Sequence, residues 1–173
     1  MLKKACLFSM FIFVFSFAVS AEEEPTLEQT VKYISNKYDR NFDHKTTTPW
    51  CPEKKDARVT VKMLESCQLN ITISGKCPAA SNSDKEILIE GFLIPLAELD
   101  PSKVEVVGDE ESSYIKLTTT EDDHPVIIHT LSKSTWKVSS LKLPSIRNYD
   151  RTQRLSRAFK HLIRLCGGEE ELF

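Results

Sequence analysis

Apolar residues recur along this chain with two different periods, and the changes from one to the other predict its architecture. Leu27, Val31, Ile34 and Tyr38 fall at i, i+4, i+7 and i+11, so the spacing predicts an amphipathic helix over residues 25–38. Thr26 is placed to cap it, and Gln29, three residues on, to close a capping box. From Asp39 to Asp56 the pattern disappears, and Thr46-Thr47-Thr48-Pro49-Trp50-Cys51-Pro52 reads as an irregular loop. Period two follows. Val59, Val61 and Met63 alternate with Thr60 and Lys62. Cys67, Leu69, Ile71 and Ile73 alternate with Gln68, Asn70, Thr72 and Ser74, the mark of a half-buried strand. Residues 86–94 are apolar on both faces and predict a central strand. Residues 103–107, 114–119, 126–131 and 135–141 complete seven candidate strands. Polar clusters such as Gly108-Asp109-Glu110-Glu111 separate the last four, and Pro95 to Pro101 suits a single turn. Strands at this spacing, without helices between them, predict an antiparallel arrangement.

The helical period returns at the end. Leu155, Phe159, Leu162 and Cys166 line one face, flanked by Ala158 and Ile163. Asp150 is the expected cap with Gln153 as its box partner, and Gly167-Gly168 is a left-handed stop. The expected fold is mainly β (α+β): about seven antiparallel strands in a sandwich or partly open barrel, with an N-terminal helix and a packed C-terminal helix.

The first 21 residues carry a different signal. Lys3 and Lys4 precede a stretch, Ala5 to Ala18, that is apolar apart from Ser9 and Ser16, and Ala18-Val19-Ser20-Ala21 leads into Glu22-Glu23-Glu24. A basic head, an apolar run and small residues at −3 and −1 are what signal peptidase reads. The run is shorter than the ~20 residues that cross a bilayer; an uncleaved anchor is the alternative. The expected organisation is a signal peptide over 1–21, an N-terminal helix and irregular loop over 22–56, a β domain with its C-terminal helix over 57–168, and an acidic tail over 169–173. An exported chain, periplasmic or secreted, with no transmembrane segment after removal of the leader, is the consequence. Of 23 basic and 25 acidic residues, two basic ones leave with the leader, so the remaining 21 against 25 give a net charge of −4. Nucleic acid, whose readers usually need a strong basic surplus, is not an expected partner.

Cys6 lies in the leader, and Cys51, Cys67, Cys77 and Cys166 remain. An even number in an exported chain predicts two disulfides, with three possible connectivities. Strand parity puts Cys67 on the buried face with Leu69 and Ile71, and helical phase puts Cys166 on the buried stripe with Leu155. That favours Cys67–Cys166 with Cys51–Cys77; Cys67–Cys77, across a hairpin-like stretch, is the rival. Spacings of 16, 10 and 89 match no zinc framework.

Candidate chemistry is sparse. The chain has no Gly-x-Ser-x-Gly elbow, and thiols held as disulfides cannot act as nucleophiles. Asp122-Asp123-His124 and the group Asp39, Asp43 and His44 are compact enough to attract a surface cation, but a polar turn before Pro125 explains the first equally well. His129 shares parity with Ile127 and Leu131 and is expected as a half-buried strand histidine. No carboxylate spacing singles out an acid/base couple. Neither catalysis nor a cofactor or metal is expected. The most patterned polar feature is the basic flank of the last helix, Arg151, Arg154, Arg157, Lys160 and Arg164. It suits an acidic partner, a lipid headgroup or an envelope polymer; a solvated face with Glu169 to Glu171 as counter-charge is the bland alternative. Asn70-Ile71-Thr72 fits the N-glycosylation pattern, with Asn70 of outward parity.

The stretch Arg154 to Gly168, ending His161-Leu162-Ile163-Arg164-Leu165-Cys166-Gly167-Gly168, resembles the close of small, mostly uncharacterised exported bacterial domains, in which short strands lead into a helix ending His-Leu-x-x-Leu-Cys-Gly-Gly. The turn from Ile94 to Pro101 before Val104-Glu105-Val106 is similar too. The order of seven strands and then one helix resembles the pleckstrin-homology-like architecture. The resemblance implies a fold and carries over no catalytic residue. The functional expectation is a non-catalytic, disulfide-stabilised exported module that binds a protein or an envelope component. A structural or assembly factor of the envelope, using the basic helix flank, is the alternative, and a small hydrolase with an unrecognised site the third.

Overall fold

The computed structural model describes residues 24–41, 55–76, 87–121, 125–131, 134–143, 146 and 148–167. In chain order the elements are α1 (Leu27–Asn41), β1 (Lys55–Leu64), β2 (Gln68–Lys76), β3 (Ile87–Pro95), β4 (Glu105–Gly108), β5 (Ser113–Thr118), β6 (Ile127–Leu131), β7 (Ser134–Val138), β8 (Ser140–Lys142) and α2 (Tyr149–Leu165). Short 3-10 turns lie at Glu65–Cys67, Leu96–Glu98 and Pro101–Lys103. The strands form two antiparallel sheets, β1-β2-β3-β6-β7 and β4-β5-β8, which do not close into a barrel. This is the α+β sandwich that the two periodicities predict. The helix runs three residues beyond Tyr38 and β1 begins at Lys55, so both enter the span from Asp39 to Asp56 that reads as irregular in the sequence; residues 42–54 lie outside the described residues.

Among the described residues eight strands precede α2 instead of about seven, because residues 135–141 break at Ser139. β7 pairs with β6, whereas β8 crosses to the other sheet and pairs with β5. The Ser139 carbonyl accepts from Thr119 N–H at 2.9 Å, which ties the crossing to the end of β5. The physical reason is a change of phase. Val138 faces the same side as Ile127, its partner in β6, and the next buried apolar residue is Leu141, an odd number of positions later. A single straight strand would set these two on opposite faces; a switch of sheet buries both.

Directly opposed residues of neighbouring strands share a face. One row therefore crosses the whole five-stranded sheet: Val61, Ile71, Phe92, His129 and Trp136. Its flanking rows hold Val59 with Ile73 and Met63 with Leu69 and Ile94. This face is the core face at the β1–β3 end, and the polar alternates Thr60, Asn70 and Thr72 lie on the other. α1 lies against β1 and α2, burying Ile34 and Tyr38. α2 packs on β4, β5 and the two 3-10 turns after β3, with Leu155, Phe159, Leu162 and Ile163 fully buried. Both sheets and both helices contribute to one apolar core.

Polar contacts fix the helix ends. At α1 the capping box forms as expected: Gln29 N–H donates to Thr26 Oγ1 at 3.3 Å and Thr26 N–H to Gln29 Oε1 at 2.8 Å. At α2 the cap is Asn148, two residues before the expected Asp150. Its Oδ1 accepts from Arg151 N–H at 3.2 Å, and its φ of 89° belongs to a region that asparagine enters more readily than most residues. Thr152 in the first turn is buried, its hydroxyl 2.6 Å from that of Ser113 in β5, so the start of α2 is keyed to the smaller sheet. Gly167, at φ +82°, donates to Arg164 O and stops the helix.

The far end of α2 is fixed covalently. Cys166 is disulfide-bonded to Cys67, with Cα atoms 5.6 Å apart and a sequence separation of 99. The pairing is the one favoured by parity and phase, yet Cys67 is outside β2. It belongs to the Glu65–Gln68 turn, where Ser66 and Cys67 both have positive φ and Gln68 N–H donates to Glu65 O. A turn with both central residues left-handed follows the twist of a hairpin and normally calls for Asn-Gly. Here Ser-Cys holds it and directs the sulfur to α2. Cys51 and Cys77, the expected second pair, lie outside the described residues.

Three outcomes follow from this packing. Phe159→Ala lowers stability by roughly 3–5 kcal/mol, whereas Arg157→Ala, on the exposed side of the same helix, changes it by less than about 0.5 kcal/mol; denaturant titrations that give equal effects would reject the assignment of the helix faces. Non-reducing peptide mapping recovers Cys67 joined to Cys166, and replacing both by Ser costs about 2–5 kcal/mol because the closed loop is long. The third concerns Tyr38, whose hydroxyl is fully buried with no hydrogen-bond partner among the described residues. Burial pushes its phenol well above the ordinary value. Above about pH 10 the unfolded chain loses this proton while the folded one keeps it, so stability falls as pH rises. Tyr38→Phe should remove that alkaline loss and raise stability at neutral pH by about 1 kcal/mol, measured as urea midpoints at pH 7 and pH 10.5.

Candidate functional site

α1 and α2 meet along faces that are apolar only in part, and the mismatch leaves a groove of about 520 Å³ between them. From α1 and its approach come Pro25, Gln29, Thr30 and Tyr33; from α2 come Arg154, Arg157, Ala158 and His161. Both sets follow from helical phase. In α2 these four residues occupy positions i, i+3, i+4 and i+7, a second stripe beside the core stripe of Leu155, Phe159 and Leu162. In α1, Pro25, Gln29 and Tyr33 repeat every four residues, one step round from the buried Ile34 and Tyr38.

His161 closes one end. Its Nε2–H donates to the Pro25 carbonyl at 2.7 Å; because a carbonyl can only accept, this bond fixes the ring nitrogen that carries the proton. Tyr33 is 36 % exposed and supplies the aromatic wall, with the Lys37 ammonium 5.0 Å from its ring centroid. Arg154 and Arg157 stand exposed one turn apart at the rim. Neither guanidinium makes a hydrogen bond or an ion pair with any other described residue. Two guanidiniums without counter-ions among the described residues, over an apolar floor, present planar donor sets for carboxylate or phosphate oxygens.

The basic flank expected from the sequence thus divides. Arg154 and Arg157 enter the groove. Lys160 is half-buried on another side of the helix, and Arg151 and Arg164 are engaged in interactions of their own. In the sequence Gln29 reads only as a capping-box residue, His161 only as part of the α2 ending, and Tyr33 carries no signal of its own. The signal was present as the second period-four stripe of α1, but only the crossing of two helices makes it the wall of a groove.

A second polar cluster lies where the core face of the larger sheet runs out. His129 Nε2–H donates to Glu90 Oε1 at 2.8 Å, and the imidazole sits between Phe92 and Trp136 at centroid distances of 4.7 and 4.6 Å. His129 is the half-buried strand histidine that its parity predicts. Trp136, 40 % exposed on edge strand β7, covers it. Another depression, of about 280 Å³, is bounded by Glu98 and residues 119–121, where Thr120 Oγ1–H donates to the Glu98 carbonyl. Asp100 beside it is fully buried. Its Oδ1 accepts from Ser102 N–H and Oγ–H at 2.7 and 2.6 Å, and Lys103 Nζ stands 4.0 Å from its Oδ2. These contacts fix the turn after β3 and leave the carboxylate no exposed surface.

Among the described residues no three His, Cys, Asp or Glu side chains converge on a metal position. Of the two sequence clusters, Asp122-Asp123-His124 and Asp43 with His44 fall outside the described residues. No described helix is long and apolar enough to cross a membrane. The chain matches no protein-family model, no curated protein and no solved structure.

Proposed function

We propose that this protein is a non-catalytic binding module, exported to the periplasm or the medium, that engages a partner through the groove between α1 and α2. The observation that carries the reading is the pair Arg154 and Arg157, exposed and without counter-ions among the described residues, over the apolar floor of Pro25, Tyr33 and Ala158. Lys116, by contrast, meets Glu105 at 3.2 Å, and Lys103 lies beside Asp100. A concave apolar surface with a few convergent polar groups is the usual form of a binding site. Arginine and tyrosine are also the residues enriched where binding energy concentrates.

Export is supported by the leader pattern of residues 1–21 and by the Cys67–Cys166 bond, which is typical of oxidising compartments. The likeness of the α2 ending to small exported bacterial domains of pleckstrin-homology-like architecture points the same way. In that setting the disulfide has a direct use. It holds the end of α2 to the β1–β2 turn, and the groove wall that α2 carries therefore keeps its position when a partner pulls on it.

A photo-crosslinking residue tests the reading in the native host. Placed at Gln29, inside the groove, it should give a discrete higher-mass adduct on irradiation. Placed at Thr60, exposed on the opposite face of β1, it should give none. A diffuse polymer-sized adduct at Gln29 would favour the alternative role as an envelope assembly factor. Equal labelling at both positions, or none at Gln29, would remove the groove from consideration.

A further inference from the structure

We infer that the occupant of the α1–α2 groove is an acidic segment of a partner protein, laid across the two helices with one bulky apolar side chain seated on Tyr33 and Ala158. This rests on the groove being the binding face, and it names the chemistry of what binds there.

Three observations select this class. The first is charge. Arg154 and Arg157 lie one helical turn apart among the residues that line the groove, so two cations flank one apolar patch. Neighbours at i and i+3 on a helix are about 5–6 Å apart at Cβ, which suits two carboxylates from adjacent or alternate residues of an extended chain. Recognition of acidic motifs by arginine clusters is a recurrent mode of peptide binding. The second is shape. The groove is partly open to solvent, whereas sites for small molecules enclose most of the ligand surface. An extended segment needs only one side chain enclosed and leaves its backbone in water. The third is the floor. Tyr33, Pro25 and Ala158 offer ring and methyl surface, and polar groups beside them are already engaged: Gln29 Oε1 accepts from Thr26 N–H, Thr30 Oγ1–H donates to the Thr26 carbonyl and His161 Nε2–H to that of Pro25. The floor therefore takes a leucine or phenylalanine side chain, and specificity comes from the charges on either side of it.

The test uses the full chain and fluorescein-labelled pentapeptides. Glu-Glu-Glu-Leu-Phe combines charge and anchor, Gln-Gln-Gln-Leu-Phe keeps only the anchor, and Glu-Glu-Glu-Gly-Ser keeps only the charge. Fluorescence anisotropy should show binding of the first and at least roughly tenfold weaker binding of the other two. Arg154→Gln with Arg157→Gln, and separately Tyr33→Ala, should each weaken the first peptide by about tenfold with unchanged thermal midpoints, and salt should oppose binding. Equal binding of Glu-Glu-Glu-Gly-Ser would show a charged surface without an anchoring groove and overturn the inference; so would equal binding of Gln-Gln-Gln-Leu-Phe. Binding that tightens about tenfold when residues 169–173 are deleted would make the chain's own acidic end the occupant and overturn the assignment to a partner. If no peptide binds while the Gln29 crosslinker still gives a discrete adduct, the acidic class fails and the binding module stands. If both experiments fail, the groove has no binding role.

Discussion

The placement of α2 is the constraint on which the rest of the molecule depends. Its apolar stripe, Leu155, Phe159, Leu162 and Ile163, fills the space over β4, β5 and the turns after β3, while its end is bonded through Cys166 to the β1–β2 turn of the other sheet. One helix therefore spans both sheets, packed at one and covalently held at the other. At its start, the buried hydroxyl pair Ser113 and Thr152 fixes its position on β5, because an unpaired buried hydroxyl would be costly. The bond at its end closes a loop of 99 residues, which removes much of the freedom of the unfolded chain. α1 then has a fixed neighbour to pack against.

The groove is a consequence of that arrangement. Two helices touching through stripes of limited width must diverge at the surface, and what lies beside the stripes lines the divergence. In α2 these residues are Arg154, Arg157 and Ala158; in α1, Gln29 and Tyr33. Ala158 also packs against the core and Gln29 caps α1, whereas Arg154, Arg157 and Tyr33 stand exposed beside the core stripes. The opposite choice is visible in the larger sheet. Its central row passes from Val61 and Ile71 through Phe92 to His129 and Trp136 as helical cover gives out. There the sheet ends in an aromatic stack with a Glu90–His129 hydrogen bond, which satisfies a half-buried imidazole at the margin.

Pattern along the chain was enough to predict both helices, the alternation of β1 and β2, the presence of β5 and β6, the α1 capping box and the Gly167 stop. Each of these is set by neighbours within a few residues, where period and local hydrogen bonding act directly. The favoured pairing of Cys67 with Cys166 was legible as well, though the strand parity used to reach it gave way to a left-handed turn at Ser66 and Cys67. Three features needed the tertiary structure. Whether residues 135–141 form one strand or two depends on which sheet can bury Leu141, and no local signal carries that. Asn148 displaces Asp150 as the α2 cap because the chain must leave its bridge at Ile146 and enter the helix at a defined angle. The five cations of the last helix look alike in the sequence. Only the position of α1, more than 110 residues earlier, turns Arg154 and Arg157 toward a groove and leaves Arg151, Lys160 and Arg164 outside it. Periodicity records which side of an element is buried; which neighbour buries it, and what the two leave open between them, is decided by packing across the whole chain.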